Sequence, residues 1–193
     1  VQILARLCIS ADGYVTTPNG WPPQVLDPVH GPGSHGIAEF LQGVEAAVMG
    51  RTTFEPALTN DRWPWPGLRV FVLGSHRPEG TPEDVVVEPD PERLLERLRA
   101  ENRGGDVHLI GGPSTVETFR ALGVLDKLEL VVLPFLVGSG MRLTDSLSTA
   151  TGLEFESSRA LAGGSVEIVY RVRPDDAPAT RRPDFDARQP QRP

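Results

Sequence analysis

The sequence predicts an α/β fold: a three-layer α/β/α sandwich whose mostly parallel sheet closes on an antiparallel C-terminal hairpin. Three observations carry that expectation. Short buried apolar runs alternate with segments of helical periodicity along the chain. Three of those runs end in a glycine junction, the place where open α/β sheets bind ligands. Near the end, two strand-like segments flank Gly163-Gly164.

Residues 1–10 (VQILARLCIS) are apolar with partial alternation and read as a buried first strand. Asp12-Gly13 and Thr17-Pro18-Asn19-Gly20 are turn signals, which leaves residues 14–16 as a short ribbon. After a Pro/Gly/His-rich loop, Ser34 is placed to cap a helix with Ile37, Phe40, Leu41 and Val44 on one face. A short strand follows at 46–49. Thr52-x-x-Glu55 fits a capping box, so a helix opens after Gly50-Arg51, and Pro56 keeps it short. The Trp63-Pro64-Trp65-Pro66 stretch reads as loop. Strands at 69–73 and 85–87 precede Asp90-Pro91, a cap and first-turn pair that opens a helix with Leu94, Leu95 and Leu98 inward. The strand at 106–110 runs into Gly111-Gly112-Pro113-Ser114, and the helix after it carries Val116, Phe119 and Leu122 to Gly123. Residues 127–137 read as a long central strand, and 155–161 with 165–173 as the closing pair. From Pro174 the composition turns to proline, arginine and aspartate, so the domain spans 1–173 and a tail spans 174–193.

A chain of 193 residues fits one domain able to bury its own core. Its net charge of −7, with no basic stripe, argues against nucleic acid. The single cysteine, Cys8, excludes an internal disulfide framework, and its apolar neighbours make it a core residue. Apolar runs reach about seven residues, far from the ~20 of a membrane span, and no signal segment is visible; a cytoplasmic protein is expected. Lys127 is the only lysine beside 18 arginines. It follows no glycine-rich loop, which argues against a P-loop and against a pyridoxal Schiff base. His30, His35, His76 and His108 share no metal-ligand spacing, and Gly138-Ser139-Gly140 lacks the context of a serine hydrolase.

The chemistry therefore concentrates at the glycine junctions. Gly111-Gly112-Pro113-Ser114-Thr115, between strand and helix, suits a phosphate held by backbone N–H groups, although a tight turn would need the same glycines. Gly50-Arg51-Thr52-Thr53 and Leu73-Gly74-Ser75-His76-Arg77 add arginines and hydroxyls that fit a phosphate monoester. Ser10-Ala11-Asp12-Gly13-Tyr14 places a carboxylate at a strand end.

Taken in order, five motifs resemble the dihydrofolate reductase-like superfamily, and within it the RibD C-terminal family, the reductase domain of bacterial riboflavin biosynthesis. They are Ser10-Ala-Asp-Gly-Tyr14, Val48-Met-Gly-Arg-Thr-Thr-Phe-Glu55, Val70-Phe-Val-Leu-Gly-Ser75, Val107-His-Leu-Ile-Gly-Gly-Pro-Ser-Thr115 and Leu130-Val-Val-Leu-Pro-Phe-Leu-Val-Gly-Ser-Gly140. The resemblance implies a dihydrofolate reductase-like fold, NADPH as cofactor and hydride transfer to a small heterocyclic or carbonyl-bearing substrate, as in a phosphoribosylaminouracil reductase or a dihydrofolate reductase. By the same resemblance Gly50, Arg51, Thr52, Thr53, Leu73, Gly74, Ser75 and Arg77 hold the adenosine side. Ile110, Gly111, Gly112, Pro113, Ser114 and Thr115 cradle the pyrophosphate. Asp12 orients or protonates substrate, in a pocket lined by Tyr14, Glu39 and Phe135. Gly36 stands where folate reductases carry an acid, and zinc ligands of a deaminase domain are absent from the sequence, so the stand-alone branch of the family is the closest match. The alternative is a catalytically silent nucleotide-binding or interaction protein that keeps the fold. A homodimer is expected from the family and from the Trp63–Pro66 loop, with the tail a candidate to lie on the neighbouring subunit.

Overall fold

The computed structural model describes residues 1–31 and 33–173. The tail at 174–193 and its expected subunit contact lie outside the described residues. β1 (Ile3–Ser10) runs parallel between β5 (Asp106–Gly111) and β6 (Lys127–Leu133). Beyond β5 lie β2 (Val44–Gly50), β3 (Arg69–Leu73) and β4 (Val86–Glu88), all parallel. On the other side β8 (Val166–Val172) is antiparallel to β6 and pairs with β7 (Leu153–Ala160) at the edge. The sheet thus reads β4-β3-β2-β5-β1-β6-β8-β7. The α/β fold with a parallel body and a final hairpin is as the sequence predicts.

The central strands are apolar on both sides because both sheet faces are covered. On one face Ile3, Ala5, Val48, Val107 and Leu109 pack under α3 (Pro91–Glu101) and α4 (Pro113–Ala121), which contribute Leu94, Leu95, Leu98, Val116 and Phe119. The Asp90 carboxylate caps α3, accepting from the Glu92 and Arg93 N–H groups at 2.9 and 3.3 Å. On the opposite face Ala47, Met49, Val70 and Val72 pack with Phe54, Trp63 and Trp65. No helix among the described residues is long and apolar enough to cross a membrane.

Four local expectations are corrected. The helix expected from Ser34 shrinks to one turn, α1 (Ile37–Phe40), after a 3-10 turn at Ser34–Gly36. Ser34 caps nothing, and Val44 opens β2 instead. Gly36 and Gly43 sit at φ +72° and +92°, conformations that end helical propagation on either side. Thr52 forms no capping box either: α2 (Arg51–Phe54) starts one residue earlier, and Glu55 turns to Arg51. β6 stops at Leu133 because Pro134 cannot donate to the ladder. Finally, the Trp63–Trp65 loop is no naked surface, since both indoles pack around Phe54 with ring centroids 6.2 and 6.1 Å away. The apolar loop thus satisfies itself, and the homodimer loses that argument.

Candidate functional site

Register brings the three glycine junctions side by side. Gly50 of β2 is level with Leu73 of β3, and Met49 is level with Gly111 of β5. Further along the same edge, Ser10 of β1 is level with Leu133 of β6. Five neighbouring parallel strands, about 4.8 Å apart, therefore present their carboxyl ends along a line of about 19 Å.

Close approach explains the glycines. A Cβ on Gly50 would sit 2.6 Å from Thr115 Oγ1, and one on Gly74 would sit 3.0 Å from Arg51 Cβ. The β2 junction is thus locked against α4 on one side and the β3 loop on the other. Gly111 adopts φ +119°, open to glycine alone, and its peptide bond to Gly112 is cis. Gly112 has an ordinary φ of −71°, and a Cβ there would find Thr53 Oγ1 as its nearest neighbour at 3.8 Å. Thr115 and Val116 donate their N–H groups back to the Gly112 carbonyl at 3.0 and 3.1 Å. Pro113 and Thr115 are buried, whereas Thr52, Ser75 and Ser114 are exposed and Ile110 packs on the Met49–Phe54 cluster.

The two arginines part company. Arg51 Nη1 donates to Glu55 Oε1 at 2.6 Å, and His76 Nε2 lies 3.9 Å from the same oxygen. Arg51 therefore stays beside Ser75 and His76 at the strand ends. Arg77 does not. Its guanidinium donates to the carbonyls of Val85, Pro82 and Thr81, closing its own loop, and is not gathered with Arg51.

At the β1 end Asp12 accepts from Ser10 Oγ at 2.6 Å and from the N–H groups of Val137 and Gly138 at 3.1 and 2.7 Å. The Ser10 hydroxyl and those backbone donors hold its carboxyl down at about 2, so it is ionised at neutral pH. Of the two roles expected of Asp12, orienting and protonating substrate, an ionised carboxylate suits the first, and its contacts tie the β1 loop to residues 137–138. Tyr14 joins the same structure, its N–H donating to Ser10 Oγ at 2.9 Å and its hydroxyl to the Gly138 carbonyl at 3.1 Å. The Phe135 carbonyl accepts from Ala11 N–H at 2.8 Å, which keeps the backbone of this half-buried residue beside the β1 loop. Glu39 is drawn elsewhere: Arg159 Nη1 of β7 holds its carboxylate at 2.6 Å, which removes it from the expected pocket.

The comparisons with known proteins agree with this architecture. The model of the RibD C-terminal domain matches residues 1–166. The chain belongs to the RibD C-terminal domain family. Two curated relatives from Bacillus subtilis (strain 168), the uncharacterized proteins YwjB and YyaP, are each 24% identical, over 85% and 88% of this chain and 94% of their own. Among solved structures, a putative riboflavin biosynthesis protein from Shewanella sp. PV-4 superposes with a TM-score of 0.75 at 22% identity, covering 90% of this chain and 99% of that one. A dihydrofolate reductase from Enterococcus faecalis, complexed with NADP(H), superposes at 0.64 with 17% identity, over 89% and 96%. The deaminase/reductase of Thermotoga maritima gives 0.65 at 14% identity; this chain spans 56% of its length. These likenesses show a dihydrofolate reductase-like fold.

The RibD C-terminal chain also holds polar groups that sequence reasoning missed. On the face under α1, Arg6 is buried and donates to Glu129 and Glu167 at 2.7 and 2.6 Å and to the His35 carbonyl. His35 Nε2 pairs with Asp27 Oδ2 at 2.8 Å, both side chains about 5% exposed. Cys8 beside them is half-buried and belongs to neither core cluster, and burial pushes its thiol up to about 11, away from a reactive thiolate. Arg142, over Tyr14, was missed as well. The available signal was its position two residues after the Gly138-Ser139-Gly140 turn that ends the β6 motif.

Proposed function

We propose that the protein is an NADPH-dependent reductase that transfers a hydride to a small heterocyclic or carbonyl-bearing molecule. The observation that carries this reading is the convergence of Gly50, Gly74 and Gly111-Gly112 on three neighbouring parallel strand ends, next to the N-terminus of the nine-residue α4. The residues present fit a dinucleotide. Gly112 leaves room above Thr53, and the α4 N-terminus favours an anion. The Gly111–Thr115 segment would hold the pyrophosphate, while Arg51, Thr52, Thr53 and Ser75 would hold the adenosine 2′-phosphate side. When bound, NADPH supplies the hydride. The chain's task is position and electrostatics. Ionised Asp12 fixes the loops after β1 and β6, so that Tyr14 and Phe135 form the wall a flat substrate would lie against.

The test is thermal unfolding with added NADPH, followed by a panel of carbonyl and heterocyclic substrates scored by NADPH absorbance loss. At about 100 times the dissociation constant a ligand stabilises by about 2.7 kcal/mol. An unmoved melting temperature at millimolar NADPH refutes the reading. Binding without turnover of any substrate would instead favour the silent nucleotide-binding alternative. The homodimer remains part of the proposal. The exposed edge strand β7, with Phe155 60% accessible, now suggests its contact better than the tryptophan loop does. A monomer by light scattering at micromolar concentration would refute it.

A further inference from the structure

We propose that Arg142, stacked on Tyr14, is a specificity residue that receives an acidic group of the substrate, a carboxylate or phosphate monoester carried on a small apolar body. This deepens the reductase reading, on which it rests for the location of the reaction.

Other arginines of the fold are neutralised where they stand: Arg6, Arg51, Arg69, Arg120, Arg159 and Arg171 each face a carboxylate at ion-pair distance. Arg142 is held by other means. Its guanidinium carbon lies 4.4 Å from the centroid of the Tyr14 ring, and its Nη2 donates to the Tyr14 hydroxyl at 3.1 Å. That hydroxyl donates in turn to the Gly138 carbonyl. Stacking and one neutral hydrogen bond orient the fork without cancelling its charge.

The setting is the carboxyl end of the two central strands. The Tyr14–Arg142 bridge joins the loop after β1 to the loop after β6, where a substrate of an open parallel sheet is expected. Nη1 lies over Gly13, 3.7 Å from the place a Cβ would occupy, so glycine keeps that approach uncluttered. Two acids face the group. Asp12 spends its oxygens on Ser10, Val137 and Gly138, and Asp145 accepts from the backbone N–H of Arg142 at 2.8 Å. Leu136 and Met141, 80% and 46% exposed, lie on the same loop and supply apolar surface for the rest of the ligand. A fixed guanidinium fork beside exposed aliphatic side chains matches an acid attached to a hydrophobic ring.

The experiment titrates the full chain, with and without saturating NADPH, with benzoate, phenyl phosphate and the neutral benzamide, in wild type, Arg142→Ala and Arg142→Lys. At least one anion is expected to bind wild type on the order of 10-fold or more tightly than benzamide. Arg142→Ala should erase that preference and Arg142→Lys should restore part of it, while all three proteins bind NADPH alike. Benzoate against phenyl phosphate decides between the two acidic groups. Equal affinity for benzamide, anion binding unchanged in Arg142→Ala, or no anion binding to wild type would each overturn the proposal. Loss of NADPH binding with the anion pattern intact refutes only the reductase reading; the reverse result refutes only the role of Arg142.

Discussion

His108 makes the fold acid-sensitive at a pH above the range in which Asp12 and Glu117 take up protons. It lies mid-strand in β5, buried, edge-on to Phe40 with centroids 4.7 Å apart, and its Nε2 has no hydrogen-bond partner among the described residues. Burial pushes its pKa down from 6.5 to about 4, against a hydrogen bond to the Arg6 backbone that favours the protonated ring and with the Arg6 charge disfavouring it. Between those values the unfolded chain binds the proton and the folded chain does not. Stability therefore holds above about pH 6.5 and falls as the pH drops towards 4. At about 1.4 kcal/mol per pH unit the full loss is about 3 kcal/mol, of which about 2 kcal/mol is gone by pH 5. His108→Leu removes the titration and fills an apolar site. Thermal unfolding of both proteins at pH 7 and pH 5 should show the wild type losing about 4–8 °C more than the variant, given about 2–4 °C per kcal/mol at this size. Parallel losses in the two proteins would refute the argument. Asp12 and Glu117 do not mask the effect, because hydrogen bonds hold both near 2 and their contributions are lost only in stronger acid.

The remaining predictions separate binding roles from structural ones. Gly111→Ala forces a side chain into φ +119° and should cost about 1–3 kcal/mol of stability, read by denaturant unfolding, whereas Gly112→Ala should unfold normally and bind NADPH more weakly. Arg51→Ala should lower affinity for NADPH more than for NADH in a paired titration; Arg77→Ala should lower the melting temperature and leave the ratio of the two affinities unchanged, because Arg77 serves carbonyls of its own loop. Asp12→Asn should speed hydrogen exchange at the Val137 and Gly138 amides, its acceptors' donors, and exchange at wild-type rates would remove its positioning role. Turnover of dihydrofolate should be poor, since Gly36 lacks a side chain and Glu39 is paired with Arg159; rates on the order of 10 per second would overturn this.

Much of the fold is legible in the sequence because its elements are locally specified. Asp90-Pro91 encodes the start of α3 by capping chemistry alone, and β3 at Arg69–Leu73 is bounded by the proline-rich loop before it and Gly74 after it. The failures fall where a contact other than the one the pattern suggests claims the residue. Ile37, Phe40, Leu41 and Val44 have helical spacing, yet Val44 is claimed by the sheet, level with Asp106 of β5. Thr52 and Glu55 have the spacing of a capping box, yet Glu55 is claimed by Arg51. The tryptophan loop is covered by Phe54, nine residues before Trp63, a pairing that no periodicity in the sequence marks.

The candidate site divides along the same line. Its proposed cofactor half is written in glycines, a residue type that stands out in the sequence whether the need is local, as with the φ of Gly111, or set by close approach of another element, as where Gly50 meets Thr115 of α4. Such positions are visible in a single sequence. The proposed substrate half is assembled from pairs more than 120 residues apart, Asp12 with Val137 and Gly138, and Tyr14 with Arg142. No spacing rule connects these residues, because only the parallel pairing of β1 with β6 places their following loops together. Those loops lie outside the ladder, where side-chain chemistry varies without disturbing the core. A sheet that fixes cofactor geometry through backbone and leaves substrate recognition to two such loops can keep one reaction while changing what it acts on.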